Sequence, residues 1–352
     1  MPPFRPALIT LAICGWGGLG GWLTAQTFLP MPWLLGSLFA CAIPSIALPR
    51  LLPSDYTFPM KARLIFIAMI GLVIGAQVSP ELLSQPQALV ISMTAIIMFV
   101  PLAFAGNYWI FRHIGGFDHA TAYYSAAPGG LIEAITMGED AGADIRRLVT
   151  QQFLRITGVI ALVPLGLSLW EGHPVGSAAG MGISASNASI NWPLLIIALG
   201  VGITLGRLLR LPAWQLTGAL LISAALALLG YPLTVPPWLM QLSQVVVGTS
   251  LGMRFAGLRR DMLLRGLGLS ILSVSTMLLI GGAIALLIGP FVGQEFKVLL
   301  ITFAPGGVNE MALVALSLNA NPAFVTLHHV FRIAITVLAL GLMKRWLLHR
   351  KS

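Results

Sequence analysis

The sequence predicts an all-α polytopic membrane protein made of two related halves, and three observations support this prediction. Of 352 residues, 57% are hydrophobic and 9% are charged, whereas about a quarter of an ordinary soluble domain is charged. The mean hydropathy is +0.90, and apolar runs long enough to cross about 30 Å of hydrocarbon recur along the chain. A short motif around Pro128 also returns around Pro305, 177 residues later (305 − 128).

Twelve hydrophobic segments fall into two sets of six. The first repeat, residues 1–172, holds segments at 7–25, 33–49, 62–78, 88–111, 119–139 and 147–170. The second repeat, residues 192–352, holds segments at 192–209, 213–230, 238–255, 263–289, 297–318 and 322–343. Residues 173–191 are rich in Gly, Ala and Ser, so we interpret them as a linker. We therefore expect 10–12 transmembrane spans.

Other matches between the halves extend the repeat beyond the motif. At the displacement of 177 they pair Gly71 with Gly248, Gly75 with Gly252 and Arg155 with Arg332, and at 182 they pair Pro30 with Pro212 and Gly36 with Gly218. Several matches in one order indicate internal duplication, a recurring plan among secondary transporters. Small residues at such spacing favour close helix packing over a pore or ligand role.

The positions of Lys and Arg predict that the two halves have opposite orientations. If the two motif segments enter and leave the membrane on one side, each half has five crossings. Both termini and nearly all basic residues then lie in the cytoplasm, with Lys297 alone outside. If all twelve segments cross, six arginines face outside, against the rule: Arg207, Arg210, Arg254, Arg259, Arg260 and Arg265. The inverted arrangement is favoured, but charge leaves open whether the motif segments are re-entrant or crossing.

Each copy of the motif places a helix break inside an apolar segment. Proline ends or kinks a helix, and the paired glycines allow positive φ and close backbone approach. A half-helix that starts after the break exposes unpaired N–H groups, which can receive an anion. The residues of the two breaks are Pro128, Gly129 and Gly130, and Pro305, Gly306 and Gly307.

A carboxylate follows each break in the first turn of the new half-helix. These residues are Glu133 and Glu310, and Asn309 stands beside the second. Ionisable groups inside a membrane are usually functional, so one interpretation is a binding or proton-coupling site between the two copies. The other is that each carboxylate only caps its half-helix, where a negative charge is favoured.

The segment after each motif carries an arginine, Arg155 or Arg332. Spacing of three or four residues places a polar side chain on the face of each arginine, namely Gln151 or Gln152 in the first half and His328 or His329 in the second. The arginines could pair with the nearby glutamates or supply positive charge for an anionic substrate. Asp144 and Asn321 precede these helices and are expected to cap them.

The remaining composition limits the function classes. The net charge of +9 is typical of cytoplasmic loops of membrane proteins, and no basic run with interleaved aromatics predicts direct nucleic-acid binding. Cys14 and Cys41 lie in apolar spans and predict neither a disulfide framework nor a metal site. No Walker lysine occurs, so ATP-driven transport is not expected. We expect no cofactor, no metal and no catalytic residue. The lipid bilayer and a small solute are the expected partners, and a homo-oligomer is left open.

With these residues in view, the chain resembles the duplicated AbrB-type membrane proteins of Gram-negative bacteria. The two Ala-Pro-Gly-Gly-x-x-Glu copies, each followed by an arginine helix, carry the resemblance, which implies a multi-pass protein of the bacterial inner membrane. Members carry labels such as regulator of aidB expression or ammonia monooxygenase, and the name is shared with an unrelated soluble DNA-binding regulator. The oxygenase label fits poorly, because the adjacent His328 and His329 point about 100° apart on a helix.

The family is also distantly similar to cation-antiporter and bile-acid-type transporters, whose broken helices cross at the midplane. This similarity implies an inverted-repeat transporter without naming a substrate. We therefore predict a secondary transporter or exporter of a small polar or anionic solute, with proton coupling as a hypothesis. The alternative is a membrane-embedded regulatory or sensory protein that affects gene expression indirectly, without transport.

Overall fold

The computed structural model describes residues 4–48, 56–78, 86–175, 190–258, 260–318 and 320–349. Within these ranges the secondary structure consists of fourteen α-helices with short π and 3-10 turns, and contains no strand. Most of the predicted linker, 176–189, lies outside the described residues. The prediction of an all-α fold is confirmed.

The helices follow one order in both halves: three helices, a long helix, two short helices, and another long helix. In the first half these are α1 Phe4–Thr24, α2 Pro32–Ala47, α3 Met60–Ala76, α4 Pro86–Trp109 with a π turn Ile110–Ile114, α5 His119–Ala126, α6 Leu131–Asp140 and α7 Ile145–Glu171. In the second half they are α8 Trp192–Leu208, α9 Trp214–Leu228, α10 Pro237–Gly252 with a 3-10 turn Met253–Phe255, α11 Arg260–Val292, α12 Phe296–Phe303, α13 Val308–Ser317 and α14 Pro322–His349.

Five stretches of the described chain are long and apolar enough to cross a membrane, as a polytopic membrane protein requires. They are Ala7–Thr24, Pro86–Ile114, Ile145–Glu171, Arg260–Val292 and Pro322–Gly341. Shorter apolar helices include α2, α8, α9 and α13. The total of 10–12 spans, the inner membrane and the cytoplasmic termini stay predictions.

The chain forms two compact units, and each unit takes helices from both predicted repeats. The first unit contains α1–α3, α8–α10, α7 from Ala161 onward and the end of α13. The second contains α4–α6, α7 up to Ile160, α11, α12, the start of α13 and α14 from Phe324. The repeats 1–172 and 192–352 stay a prediction about sequence, since the compact units cut across them.

In the first unit, the third helix of each half packs against the second helix of the other half. A Cβ atom at Gly75 of α3 would overlap the backbone oxygen of Leu220 in α9, and one at Gly252 of α10 would overlap that of Leu38 in α2. Such backbone contact is possible only without a side chain. The predicted packing role of these glycines is confirmed.

The first unit also repeats a local backbone feature. Met31 and Ala213 precede α2 and α9 with φ of 46° and 48°, and they stand 182 residues apart (213 − 31). Residues other than glycine rarely adopt positive φ. The same conformation at both positions therefore supports the duplication independently of the residue types.

We predict that Gly75→Ala destabilises the protein, because the added Cβ would overlap backbone atoms of α9, which cannot move aside as a flexible side chain can. Overpacking of this kind costs about 1–3 kcal/mol. Gly200→Ala in α8 is the matched control, because nothing lies within 4 Å of its Cβ position. Thermal unfolding of the purified protein in detergent should show a lower Tm for Gly75→Ala and no loss for Gly200→Ala. Equal Tm values for the two variants would contradict the packing account.

Candidate functional site

Both predicted helix breaks are present, and both lie in the second unit. α5 ends at Ala126 and α6 begins at Leu131, while α12 ends at Phe303 and α13 begins at Val308. Pro128 and Pro305 stand inside these two gaps. Gly130 has φ of 63°, a conformation that explains glycine at the residue before α6. The prediction of a Pro-Gly-Gly-broken helix in each half is confirmed.

Each break packs against the arginine helix of the other half. A Cβ atom at Gly129 would lie 3.5 Å from side-chain atoms of Ile333 and Thr336 in α14. A Cβ atom at Gly306 would lie 3.0 Å from the Val159 side chain in α7. The two motif copies and the two arginine helices are thus assembled reciprocally, as one cluster within the second unit.

Each arginine binds the end of the half-helix that precedes the break in its own half. Arg155 Nη1 donates to the carbonyl oxygen of Ala127, and Arg332 Nη1 donates to that of Ala304. The last carbonyls of a helix lack partners within it and form its negative end. A buried guanidinium therefore satisfies both the hydrogen-bonding and the charge requirement of these two ends.

The polar residue three positions before each arginine binds the same half-helix one turn earlier. Gln152 Nε2 donates to Tyr124 O at 3.0 Å. His329 Nε2 lies 2.9 Å from Ile301 O, and since a carbonyl only accepts, this nitrogen carries the ring proton. His329 Nδ1 is then free to accept from Arg332 Nη2, at 3.3 Å.

The other two candidates of the same segments point elsewhere. His328 Nδ1 lies 2.7 Å from Phe324 O, and its Nε2 lies 2.8 Å from Ser92 Oγ in α4. Gln151 Nε2 donates to Gly266 O of α11 at 3.4 Å. Gln152 and His329 are therefore the residues of each pair that belong to the break.

Both carboxylates fold back over the glycine that begins their half-helix. The position of a Cβ at Gly307 is occupied by the Glu310 carboxylate, with Cδ at 2.8 Å. At Gly130 the Glu133 Oε2 atom lies 3.4 Å from the equivalent position. Both carboxylates thus lie at the start of their half-helices, where a negative charge is favoured, and this placement is compatible with both the capping and the binding interpretation. Glu310 is 3% exposed, whereas Glu133 is half-buried.

Neither arginine forms an ion pair with a carboxylate in the described part of the chain. The arginine–glutamate pairing considered from sequence is replaced by arginine–carbonyl contacts. Both guanidinium groups are buried, with Arg155 4% and Arg332 1% exposed, and a buried guanidinium is a group that an anion would stabilise.

The two breaks differ in how completely their polar groups are satisfied. Arg332 makes three hydrogen bonds, to Ala304 O, Gly306 O and His329. Arg155 makes one, and among the described atoms the buried Oε1 of Gln152 has no partner. Beside the second carboxylate, Asn309 is 9% exposed, whereas its counterpart Ile132 is 73% exposed. Among the described atoms, Arg332 Nε is unpaired at the second break, whereas Arg155 Nε, Gln152 Oε1 and Ser125 Oγ are unpaired at the first, so the first break leaves more buried hydrogen-bonding capacity unused.

Sequence reasoning missed Asn107, which supports the first break from α4. It is fully buried, donates from Nδ2 to Ala126 O at 3.3 Å and accepts from Ser273 of α11 at 2.9 Å. A lone amide inside an apolar segment was the available signal, because buried polar side chains need partners.

Side chains cap the helices around the breaks, and two of these caps, Asp144 and Asn321, are the ones expected from the sequence. Asp144 Oδ1 accepts from Arg147 N at 3.2 Å, and Asn321 Oδ1 accepts from Ala323 N at 3.0 Å. Asp118 caps α5 through Thr121 N at 2.9 Å. Burial alone would raise the pKa of the Asp118 carboxyl, but hydrogen bonds from Thr121 and neighbouring backbone N–H groups lower the pKa overall.

In the described residues, no group of three or more His, Cys, Asp or Glu is placed to hold a metal ion. Cys14 and Cys41 are free thiols. The expectations of no cofactor and no metal stay predictions.

Comparison with known proteins places the chain in one protein family. Residues 33–348 match the model of the AbrB family, described as transition state regulatory protein AbrB. The chain is 26% identical over 310 residues to "Putative regulator AbrB" of Escherichia coli strain K12, covering 87% of this chain and 86% of that protein. It is 25% identical over 355 residues to "Uncharacterized protein YhjN" of Bacillus subtilis strain 168, covering 94% and 91%.

We predict that Arg332→Met lowers stability more than Arg155→Met. Removing the Arg332 guanidinium leaves three buried acceptors without this donor, whereas removing that of Arg155 leaves one. Each buried acceptor left unpaired costs about 1–3 kcal/mol of stability. Thermal unfolding in detergent should give the lower Tm for Arg332→Met, with exposed Arg146→Met as the control near the wild-type value. A Tm loss at Arg155 equal to or larger than that at Arg332 would contradict the asymmetry.

Proposed function

This chain belongs to the AbrB family, and we propose that it acts as a secondary transporter of a small polar or anionic solute, with an anion favoured. The observation that carries the proposal is the pair of broken helices in one unit, each packed against the arginine helix of the other half. Discontinuous helices that meet between repeats form substrate sites in several transporter folds. The substrate would bind between the two breaks near the membrane midplane.

The charges around the breaks support an anionic solute. At each break the arginine occupies the negative end of the first half-helix, so the groups left for a ligand belong to the start of the second half-helix. Backbone N–H groups at a helix start attract anions. The two arginines add buried positive charge that no carboxylate of the described chain pairs with directly.

The position of Glu133 supports proton coupling. Its carboxylate lies over Gly130 at the start of α6, where a substrate anion would also be stabilised. An ionised Glu133 competes with the anion for this helix start, whereas a protonated Glu133 does not. Proton and anion would therefore bind together, and transport would move both in the same direction.

From the difference between the two breaks we infer distinct tasks for the two copies. The first break would recognise the substrate through Arg155 and Gln152, whose Oε1 has no partner. The second break, with Arg332, His329 and buried Glu310, would serve as the rigid counterpart against which the first one moves. This mechanism needs no catalytic residue, and the partners it requires are the lipid bilayer and the small solute.

A second candidate function is membrane-embedded regulation without flux. The name "Putative regulator AbrB" of the Escherichia coli relative favours it. In that case the breaks would bind a signal molecule and change the protein's contact with a partner, and gene expression would respond indirectly.

Flux measurement in liposomes separates the two candidates. We expect purified protein in liposomes with an internal pH dye to acidify or alkalinise the lumen when a gradient of its substrate is imposed. The probes are a panel of small carboxylates, amino acids and inorganic anions, chosen by comparing metabolites of cells with and without the protein. Movement of none of these, together with saturable binding of one of them, would favour the regulatory candidate.

We predict that Glu133→Gln removes the pH dependence of transport while the protein stays folded, because the amide cannot take up or release a proton. The measurement is the initial rate of substrate uptake across a pH series in liposomes. Glu139→Gln is the matched control, since Glu139 is exposed on the same helix and should leave the profile unchanged. If Glu133→Gln kept the normal rate and pH profile, the coupling role would be refuted.

A further inference from the structure

Two polar side chains at the first break lack hydrogen bonds that their counterparts at the second break make. The broken helices correspond residue by residue, since α5 and α12 begin and end 177 residues apart (296 − 119 and 303 − 126). At the same displacement, Ser125 corresponds to Thr302 and Gln152 to His329. All four side chains are more than nine-tenths buried. Because the helix arrangement is repeated, a difference between counterparts reflects what each copy does.

The two counterparts at the second break are paired within the protein. Thr302 Oγ1 donates to Val298 O at 2.7 Å. His329 Nε2 donates to Ile301 O at 2.9 Å, and its Nδ1 accepts from Arg332 at 3.3 Å. Each polar atom of these two side chains therefore has a partner.

At the first break, one atom of each side chain stays unpaired. Gln152 Nε2 donates to Tyr124 O at 3.0 Å, and because a carbonyl only accepts, this contact identifies the nitrogen of the amide. Gln152 Oε1 and Ser125 Oγ have no hydrogen-bond partner in the described part of the chain. Buried polar atoms are nearly always paired in native proteins, so these two atoms need an explanation that the repeated backbone does not supply.

The unpaired atoms belong to one cluster around the last turn of α5. Ser125 lies in that turn, and Gln152 Nε2 is 3.5 Å from its carbonyl oxygen. Arg155, one helical turn after Gln152, donates to Ala127 O, and its Nε is a further unpaired donor. A hydroxyl, an amide and a guanidinium group thus meet directly before the break.

The hydrogen-bonding roles of these groups define the ligand that would satisfy them. The guanidinium group of Arg155 only donates, so the ligand must offer an acceptor, and a carboxylate matches its geometry and charge. Gln152 Oε1 only accepts, so the ligand must also carry a hydroxyl or an N–H group. The hydroxyl of Ser125 can serve either part. A carboxylate without a donor would leave Gln152 Oε1 unpaired.

We propose that the first break binds a small carboxylate that carries a hydroxyl or amino group on the carbon next to the carboxyl, and that Ser125 is a further residue that contacts it. The carboxylate accepts from Arg155, and the neighbouring hydroxyl or amino group donates to Gln152 Oε1. The proposal rests on the transport function proposed above and narrows its solute class.

The same cluster shows how the site opens. Ser125 and Gln152 are buried, so the structure presents the site in its closed state. α6 packs next to this turn, since a Cβ at Gly138 would lie 3.3 Å from the Tyr124 side chain, yet α6 buries only Ala134 and Gly138 among its ten residues. Segments with few buried contacts open at low cost. Movement of α6 admits the solute to the cluster.

The test is binding of matched acids to the full-length protein purified in a neutral detergent, measured by calorimetry and by the rise in Tm. Lactate and alanine are compared with propionate, and malate and aspartate with succinate. Within each comparison the acids differ by the hydroxyl or amino group. We expect the acid with the donor to bind at least about tenfold more tightly in one of these comparisons, which corresponds to about 1.4 kcal/mol.

Gln152→His is the decisive variant, because the second break already contains this arrangement. A histidine there can donate to α5 and accept from Arg155, as His329 does with α12 and Arg332, and it leaves no acceptor for the ligand. We expect it to remove the preference for the acid with the donor. Ser125→Ala should weaken binding of the preferred acid about tenfold while keeping the fold. Gln151→His is the matched control, since Gln151 faces Gly266 of α11, and it should keep the preference.

The outcomes separate this proposal from the transport function. Equal binding within every comparison, or binding of none of these acids, would overturn the proposed solute class. Flux of another solute in liposomes would then leave transport standing. A preference that is lost in Gln152→His, without flux, would support the site while contradicting transport. An unchanged preference in Gln152→His would overturn the role of this cluster.

Discussion

The contact on which this fold depends is the hydrogen bond from a buried arginine to the last carbonyls of a half-helix. A helix that stops inside an apolar interior exposes carbonyl groups that neither water nor lipid can satisfy. Arg155 and Arg332 solve the same problem in both halves, by binding Ala127 and Ala304. Without such a donor the chain could not end α5 and α12 where it does. The Pro-Gly-Gly segments would then have to be replaced by continuous helix.

Much of this architecture was predictable because hydrophobic segments and helix breakers act locally. The twelve apolar segments correspond to α1–α4, the two broken pairs, α7–α11 and α14, with ends displaced by a few residues. Pro128 and Pro305 identified the breaks because proline disrupts a helix wherever it occurs in the interior. The capping roles of Asp144 and Asn321 followed from the same local logic and are confirmed.

The partners of the arginines were not predictable, because they are a matter of tertiary structure. Ala127 and Ala304 each precede their arginine by 28 residues, and no local pattern connects the two positions. Periodicity also could not choose between Gln151 and Gln152, or between His328 and His329, since neighbouring residues on a helix differ by only about 100°. The division into two units that mix the halves likewise arises from reciprocal packing, which a single sequence does not reveal.

That reciprocal packing has a consequence for how the molecule is made. The glycine surface of α3 is complementary to α9, and that of α10 to α2, so neither half contains the partner for its own third helix. As in an obligate dimer, an isolated half would leave the glycine surface of its third helix in contact with lipid. The first unit can therefore complete its tertiary packing only after α9 and α10 have been synthesised. Membrane insertion of the first half thus precedes its tertiary folding.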